Sequence, residues 1–119
     1  MKILVVDDSK TMRMIVKRTL RQAGFGDAEV LEASNGLEGI ESMKGGGVDL
    51  VLCDWNMPEM NGLDFLKSLR GAGNAVKFGF VTSESTPEMH QVARENGALF
   101  LISKPFTEET FKSTIGAVL

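Results

Sequence analysis

A chain of 119 residues suffices for one domain with a real core, and 43% hydrophobic and 24% charged residues are ordinary for a soluble globular protein. A formal charge of −3 offers no basic field for nucleic acid, and a single Cys with a single His excludes both a disulfide framework and a structural zinc site. No apolar run approaches the roughly 18 residues of a membrane span, and the first run turns acidic at Asp7, too early for a signal peptide. A cytoplasmic location without membrane insertion is therefore expected.

The first element is the run Ile3–Val6, which ends on Asp7 and Asp8. Met12, Ile15, Val16, Thr19, Leu20 and Ala23 then recur at helical spacing until Gly24 supplies a stop, with Asp8 or Ser9 placed to cap the helix. Ala28–Ala33 reads as a second strand, and Leu37, Ile40 and Met43 as the inner stripe of a short helix ended by Gly45-Gly46-Gly47. A third strand, Val48–Cys53, ends on Asp54. Leu63, Phe65, Leu66 and Leu69 mark the helix after Asn61-Gly62. The fourth strand, Val76–Val81, ends on Thr82, and Thr86 with Pro87 starts a helix carrying Met89, Val92 and Ala93. Leu99–Ser103 is the fifth strand and ends on Lys104. Thr107 caps the last helix, where Glu108 and Glu109 favour the positive end and Phe111, Ile115 and Val118 form the inner stripe.

Continuous apolar strands alternating with amphipathic helices predict an α/β protein, a doubly wound five-stranded parallel sheet with five helices and right-handed crossovers. Five units are too few for an eight-unit barrel. Ligands of such a sheet bind beyond the carboxyl ends of its strands, where Asp7, Asp8, Asp54, Thr82 and Lys104 all fall. An isolated acid at a strand end most often faces solvent or caps a helix. Here three acids share one edge and repel one another, with only Lys104 to compensate them, so a hard divalent ion fits, magnesium best because it keeps waters and accepts a phosphate oxygen. A carboxylate in that setting can act as a nucleophile toward a phosphoryl group, while a metal, a lysine and a hydroxyl neutralise the equatorial oxygens. Asn56 and Glu84, each two residues beyond Asp54 and Thr82, are placed to flank that group and orient an attacking water. Cys53 reads as a buried small hydrophobe, the seven Met residues as mostly core filler, Trp55 as partly exposed beside the metal, and His90 as a solvated helix residue.

The motifs Asp7-Asp8, Asp54-Trp55-Asn56-Met57-Pro58 with Asn61-Gly62, Thr82-Ser83, and Lys104-Pro105-Phe106, each behind its own strand, resemble those of the two-component response-regulator receiver domain, in its stand-alone CheY-like chemotaxis form. The resemblance covers residues 1–119 as a single receiver without an output domain, and implies the flavodoxin-like strand order 2-1-3-4-5. It implies Asp54 as phosphoacceptor, Asp8 as the principal metal carboxylate with Asp7 assisting through water, and the Asn56 backbone carbonyl as a further Mg2+ ligand. Lys104 would pair with the phosphoryl oxygens, aimed by a cis Lys104-Pro105 peptide, and Thr82 would move to hydrogen-bond the phosphoryl group.

The implied partners are a histidine kinase as phosphodonor, CheA-like, a separate target such as the flagellar motor switch, and an auxiliary phosphatase; a monomer is expected. Such a protein is a self-catalysed phosphoacceptor, not an enzyme turning over an external substrate. A non-chemotactic relay or phosphate sink would read the same. A metal-dependent aspartyl-phosphate phosphatase would place its nucleophile after the first strand, and a flavodoxin-like binder would have a hydroxyl-rich phosphate loop where Asp7-Asp8 stands. Two positions depart from the receiver pattern. Leu101 stands where an aromatic switch residue is common, so Thr82 movement is expected to be read through packing at Leu101, and Ser9 follows Asp8 in place of a bulky group.

Overall fold

The computed structural model describes residues 1–119, and its elements follow the expected order. They are β1 (Lys2–Val6), α1 (Lys10–Leu20), β2 (Glu29–Ala33), α2 (Gly36–Met43), β3 (Leu50–Cys53), α3 (Gly62–Gly71), β4 (Lys77–Thr82), α4 (Pro87–Glu95), β5 (Phe100–Ser103) and α5 (Glu108–Gly116). The sheet is wholly parallel in the order β2-β1-β3-β4-β5.

Strand alternation divides the core in two. Leu4, Val6, Val51, Cys53, Phe78 and Phe80 face α2, α3 and α4 with Phe65, Leu66 and Leu69, whereas Ile3, Val5, Leu50, Leu52, Val81 and Ile102 face α1 and α5 with Val16, Leu20, Phe111 and Ile115. The middle strands are buried on both faces, which is why β1, β3 and β4 read as unbroken apolar runs. Each fully buried Phe or Leu contributes roughly 1.5–3 kcal/mol by leaving water.

The helix starts are set by side-chain caps. Ser9, Asn35, Asn61, Thr86 and Thr107 each accept a hydrogen bond from the backbone N–H three residues on. Ser9, not Asp8, therefore caps α1, leaving Asp8 uncommitted. Beyond α1, a π-helical turn over Arg21–Phe25 carries the chain to β2, with Gly24 at φ +100°, where a side chain would be strained.

Several expectations are corrected. Leu37 is 48% exposed; α2 instead buries Gly36 and Gly39, because a Cβ on Gly39 would lie 2.8 Å from the Phe65 ring and only glycine lets α2 approach α3 so closely. Val118 lies beyond the end of α5, and Val48, Val76 and Leu99 precede their strands. Met12, Met43, Met57 and Met60 pack half-buried against the core, but Met1 and Met14 are 57% and 60% exposed. His90 is half-buried, with its Nε2 2.8 Å from the Ser85 hydroxyl.

Candidate functional site

The strand order reverses between β1 and β3, and the register there places the acids. Val6 pairs with Cys53, so Asp7 and Asp54 leave adjacent strands side by side; the Asp54 N–H donates to the Val6 carbonyl at 2.9 Å and the Asp7 N–H to Ala33 at 3.0 Å. By the same pairing Thr82 stands opposite Ser103, one residue before Lys104, whose N–H donates to the Thr82 carbonyl at 2.8 Å. Four strands thus converge on one crevice.

Lys104 closes it. Its ammonium donates to Asp7 Oδ2 and to Asp54 Oδ2, both at 3.0 Å, although their side chains come from positions 97 and 50 residues away. The Lys104–Pro105 peptide is cis. The second Asp54 oxygen, Oδ1, accepts from the Trp55 N–H at 2.6 Å, and Asp7 Oδ1 from the Ser9 N–H at 2.9 Å. Asp8 is exposed at the crevice mouth, and one carboxylate oxygen from each of Asp7, Asp8 and Asp54 lies within 4.8 Å of the others.

Burial pushes the Asp7 carboxyl above the usual aspartate range; the Ser9 amide and Lys104 pull it down, and the Asp54 charge adds to the rise. For Lys104 burial works the other way, yet bonds and charges from two carboxylates outweigh it, and the ammonium is held above its ordinary value. The asymmetry has a simple origin: one cation serves two anions, so it gains from both while they share it. Directly behind the site, the Cys53 thiol is raised well above its ordinary value by burial, with the Asp54 and Asp7 charges adding, which keeps it protonated and inert.

Three carboxylates and the Asn56 carbonyl, which accepts no hydrogen bond from the chain, form an all-oxygen donor set suited to a hard, hydrated cation such as Mg2+. Around it, Thr82 is fully buried, and its hydroxyl takes only a long 3.4 Å contact from the Glu84 N–H. Asn56 and Glu84 meet across the opening, the amide donating to Glu84 Oε1 at 3.2 Å. Trp55 is half-buried and packs against Phe80 with the rings tilted and their centroids 4.6 Å apart. Leu101 pairs with Phe80 and packs on the α4 side of the sheet, the side Thr82 shares by alternation, while Phe100 packs on the other face.

One residue escaped sequence reasoning. Arg13 Nη1 donates to the Asp7 carbonyl at 2.6 Å and its Nε to Glu32 Oε1 at 3.0 Å; Lys17 holds the other Glu32 oxygen at 3.2 Å. Burial works to raise the Glu32 carboxyl, but these two cations outweigh it and hold it below its ordinary value. The signal available was only Arg13's place one turn after Asp7-Asp8, off the apolar stripe.

An acidic crevice at the switch point of a five-stranded parallel sheet, bridged by a lysine from the last strand, defines a class of signalling domain, and the chain belongs to it: residues 3–116 match the response regulator receiver domain. Among its relatives, chemotaxis protein CheY-3 of Vibrio cholerae is 40% identical over 120 aligned positions, covering 99% of this chain and 91% of that one. Chemotaxis protein CheY1 of Helicobacter pylori is also 40% identical, covering 100% of this chain and 97% of the relative. In structure it is similar to Vibrio cholerae CheY4, with a TM-score of 0.87 at 35% identity over 99% of this chain and 98% of that one. It is thus a receiver domain of the CheY type, and such domains are signalling proteins.

Proposed function

We propose that this protein is switched on by transfer of a phosphoryl group from a histidine kinase to Asp54, and signals by binding a separate target, in chemotaxis through the flagellar motor. The observation that carries this reading is the Lys104 bridge: an ammonium 3.0 Å from both Asp7 and Asp54 spans the two adjacent carboxylates and stands ready to meet added negative charge.

In the transfer, an Asp54 carboxylate oxygen attacks phosphorus, the P–N bond of a phosphohistidine breaks, and the imidazole leaves as the neutral base once it has taken a proton. Lys104 shifts its hydrogen bonds from Asp54 to the phosphoryl oxygens, and the Thr82 hydroxyl, held in the chain only by one long contact, turns to donate to another. Asp8, Asp7, Asp54 and the Asn56 carbonyl would hold Mg2+, which supplies charge neutralisation at the phosphoryl oxygens. Asn56 and Glu84, already joined across the opening, are placed to orient water for hydrolysis and so set the lifetime of the signal. The likeness to chemotaxis proteins at 40% identity supports the chemotactic setting, and the lack of any helix long and apolar enough to cross a membrane suits a diffusible messenger in the cytoplasm.

The test is the mass of the intact chain after incubation with acetyl phosphate and Mg2+. Wild type should gain one phosphoryl group and Asp54→Asn none; equal labelling of the variant would overturn the assignment.

A further inference from the structure

Asp7 and Asp8 are neighbours held in different ways. Asp7 is fixed on every side: its N–H is bonded to Ala33, its carboxylate to the Ser9 N–H and Lys104, its carbonyl to Arg13. The Asp8 side chain is exposed and takes no hydrogen bond from the chain. What aims Asp8 is therefore the peptide plane that precedes it, and that plane is gripped at its carbonyl by Arg13. We propose that Arg13 is a positioning residue for the metal-binding carboxylates, setting the direction of Asp8 through the Asp7 carbonyl; this rests on the reading that Asp7, Asp8 and Asp54 hold Mg2+.

The guanidinium suits the task by shape. Its Nη1 reaches the Asp7 carbonyl while its Nε is tied to Glu32, and a planar fork holds those two directions at a fixed angle. Glu32 is in turn anchored, since it stands on β2 opposite Val5 and receives Lys17 at its second oxygen. The sheet edge, through Glu32 and Arg13, thus fixes the loop that carries the acids. A lysine at position 13 keeps the charge but has one nitrogen for two targets.

Charge and geometry predict opposite signs, and this makes the idea testable. A cation beside a metal site repels the metal, so if Arg13 acted by charge alone, Arg13→Met would tighten Mg2+ and Arg13→Lys would leave it unchanged. If Arg13 acts by aiming Asp8, both variants weaken it. Partners behind metal ligands typically contribute 10–100-fold in affinity; the expectation here is roughly tenfold weaker Mg2+ binding in Arg13→Met and several-fold in Arg13→Lys, read by titration calorimetry with MgCl2. Labelling by acetyl phosphate should slow at low Mg2+ and return to the wild-type rate at saturating Mg2+, a recovery that a general loss of fold would not show. Should Arg13→Met unfold, Arg13→Lys carries the test alone. Unchanged or tighter Mg2+ binding with a lowered urea midpoint would make Arg13 a mere tie between α1 and β2 and overturn the proposal. Wild type that binds no Mg2+ would overturn the metal site itself, and this proposal with it.

Discussion

Replacing Lys104 with Met keeps the stem and removes the ammonium, leaving Asp7 and Asp54 to face one another. Carboxylate oxygens of the pair lie within 4.8 Å, where two unit charges repel by about 3.5 kcal/mol at an effective dielectric of about 20. Asp54 is 12% exposed, so water and relaxation reduce this to an expected loss of about 2–3 kcal/mol at neutral pH, below the full cost of breaking a deeply buried pair. The pH dependence has a definite sign. In wild type the Lys104 value is raised above 10.5, so its contribution is present throughout the neutral and acid range and is lost only as pH rises through that raised value. Asp7 is raised above 3.8 by burial, so its ionisation costs stability above that range, and in the variant it rises further without its cation. As pH falls the variant's Asp7 takes up a proton, the repulsion ends and the gap to wild type narrows. Urea unfolding followed by far-ultraviolet circular dichroism, from about pH 4 to about pH 9 with EDTA, measures the gap. Added Mg2+ should narrow it too, since an ion at about 100 times its dissociation constant stabilises the native state by about 2.7 kcal/mol and no ammonium competes for the site. A gap indifferent to both pH and Mg2+ would refute the electrostatic account and leave Lys104 as packing.

Trp55 adjoins Asp54, so its fluorescence should change on Mg2+ addition and again on phosphorylation, and Asp8→Ala should remove the Mg2+ response; a full response in that variant places the ion elsewhere. Leu101→Ala should keep Asp54 labelling yet weaken phosphorylation-dependent binding to a flagellar motor switch protein, measured by interferometry, while Leu101→Phe preserves it; equal responses in wild type and Leu101→Ala would mean the signal takes another route. Apolar replacement of both Asn56 and Glu84 should slow loss of the phosphoryl mass, and faster decay contradicts their role in hydrolysis. In Gly62→Ala the new Cβ would clash with the Asp54 carbonyl oxygen, so about 3 kcal/mol of stability or more should be lost in thermal unfolding, and an unchanged midpoint would show that the approach is slack.

What could be read from the residues alone was whatever is local in the chain. Strands buried on both faces announce themselves as apolar runs, and Ser9, Asn61, Thr86 and Thr107 announce helix starts, so the order of elements and the strand-end positions of Asp54 and Lys104 were legible. The strand order came from resemblance, since nothing local encodes which strands pair. The contact of Arg13 with Glu32, which spans 19 residues, was hidden for the same reason. Leu37 misled because apolar size was taken as the mark of an inward face, when the decisive quantity in α2 was the smallness of Gly36 and Gly39. Leu101 and Phe100 lie on opposite faces, as strand alternation, itself a local rule, requires.

The glycine behind Asp54 gives the crevice two walls of unequal stiffness. On one side the Asp54 carbonyl abuts the start of α3 so closely that no side chain fits at Gly62, whose N–H also clasps the Trp55 carbonyl at 2.8 Å. On the other side residues Ser83 to Thr86 are exposed, and the fully buried Thr82 hydroxyl is met there only by the long contact from Glu84. On the proposal that Asp54 takes up a phosphoryl group, the tight contact at Gly62 would resist movement of α3, and displacement would fall on the segment leading into α4. The direction of such a signal would then be set by which wall yields, before any partner is present to read it.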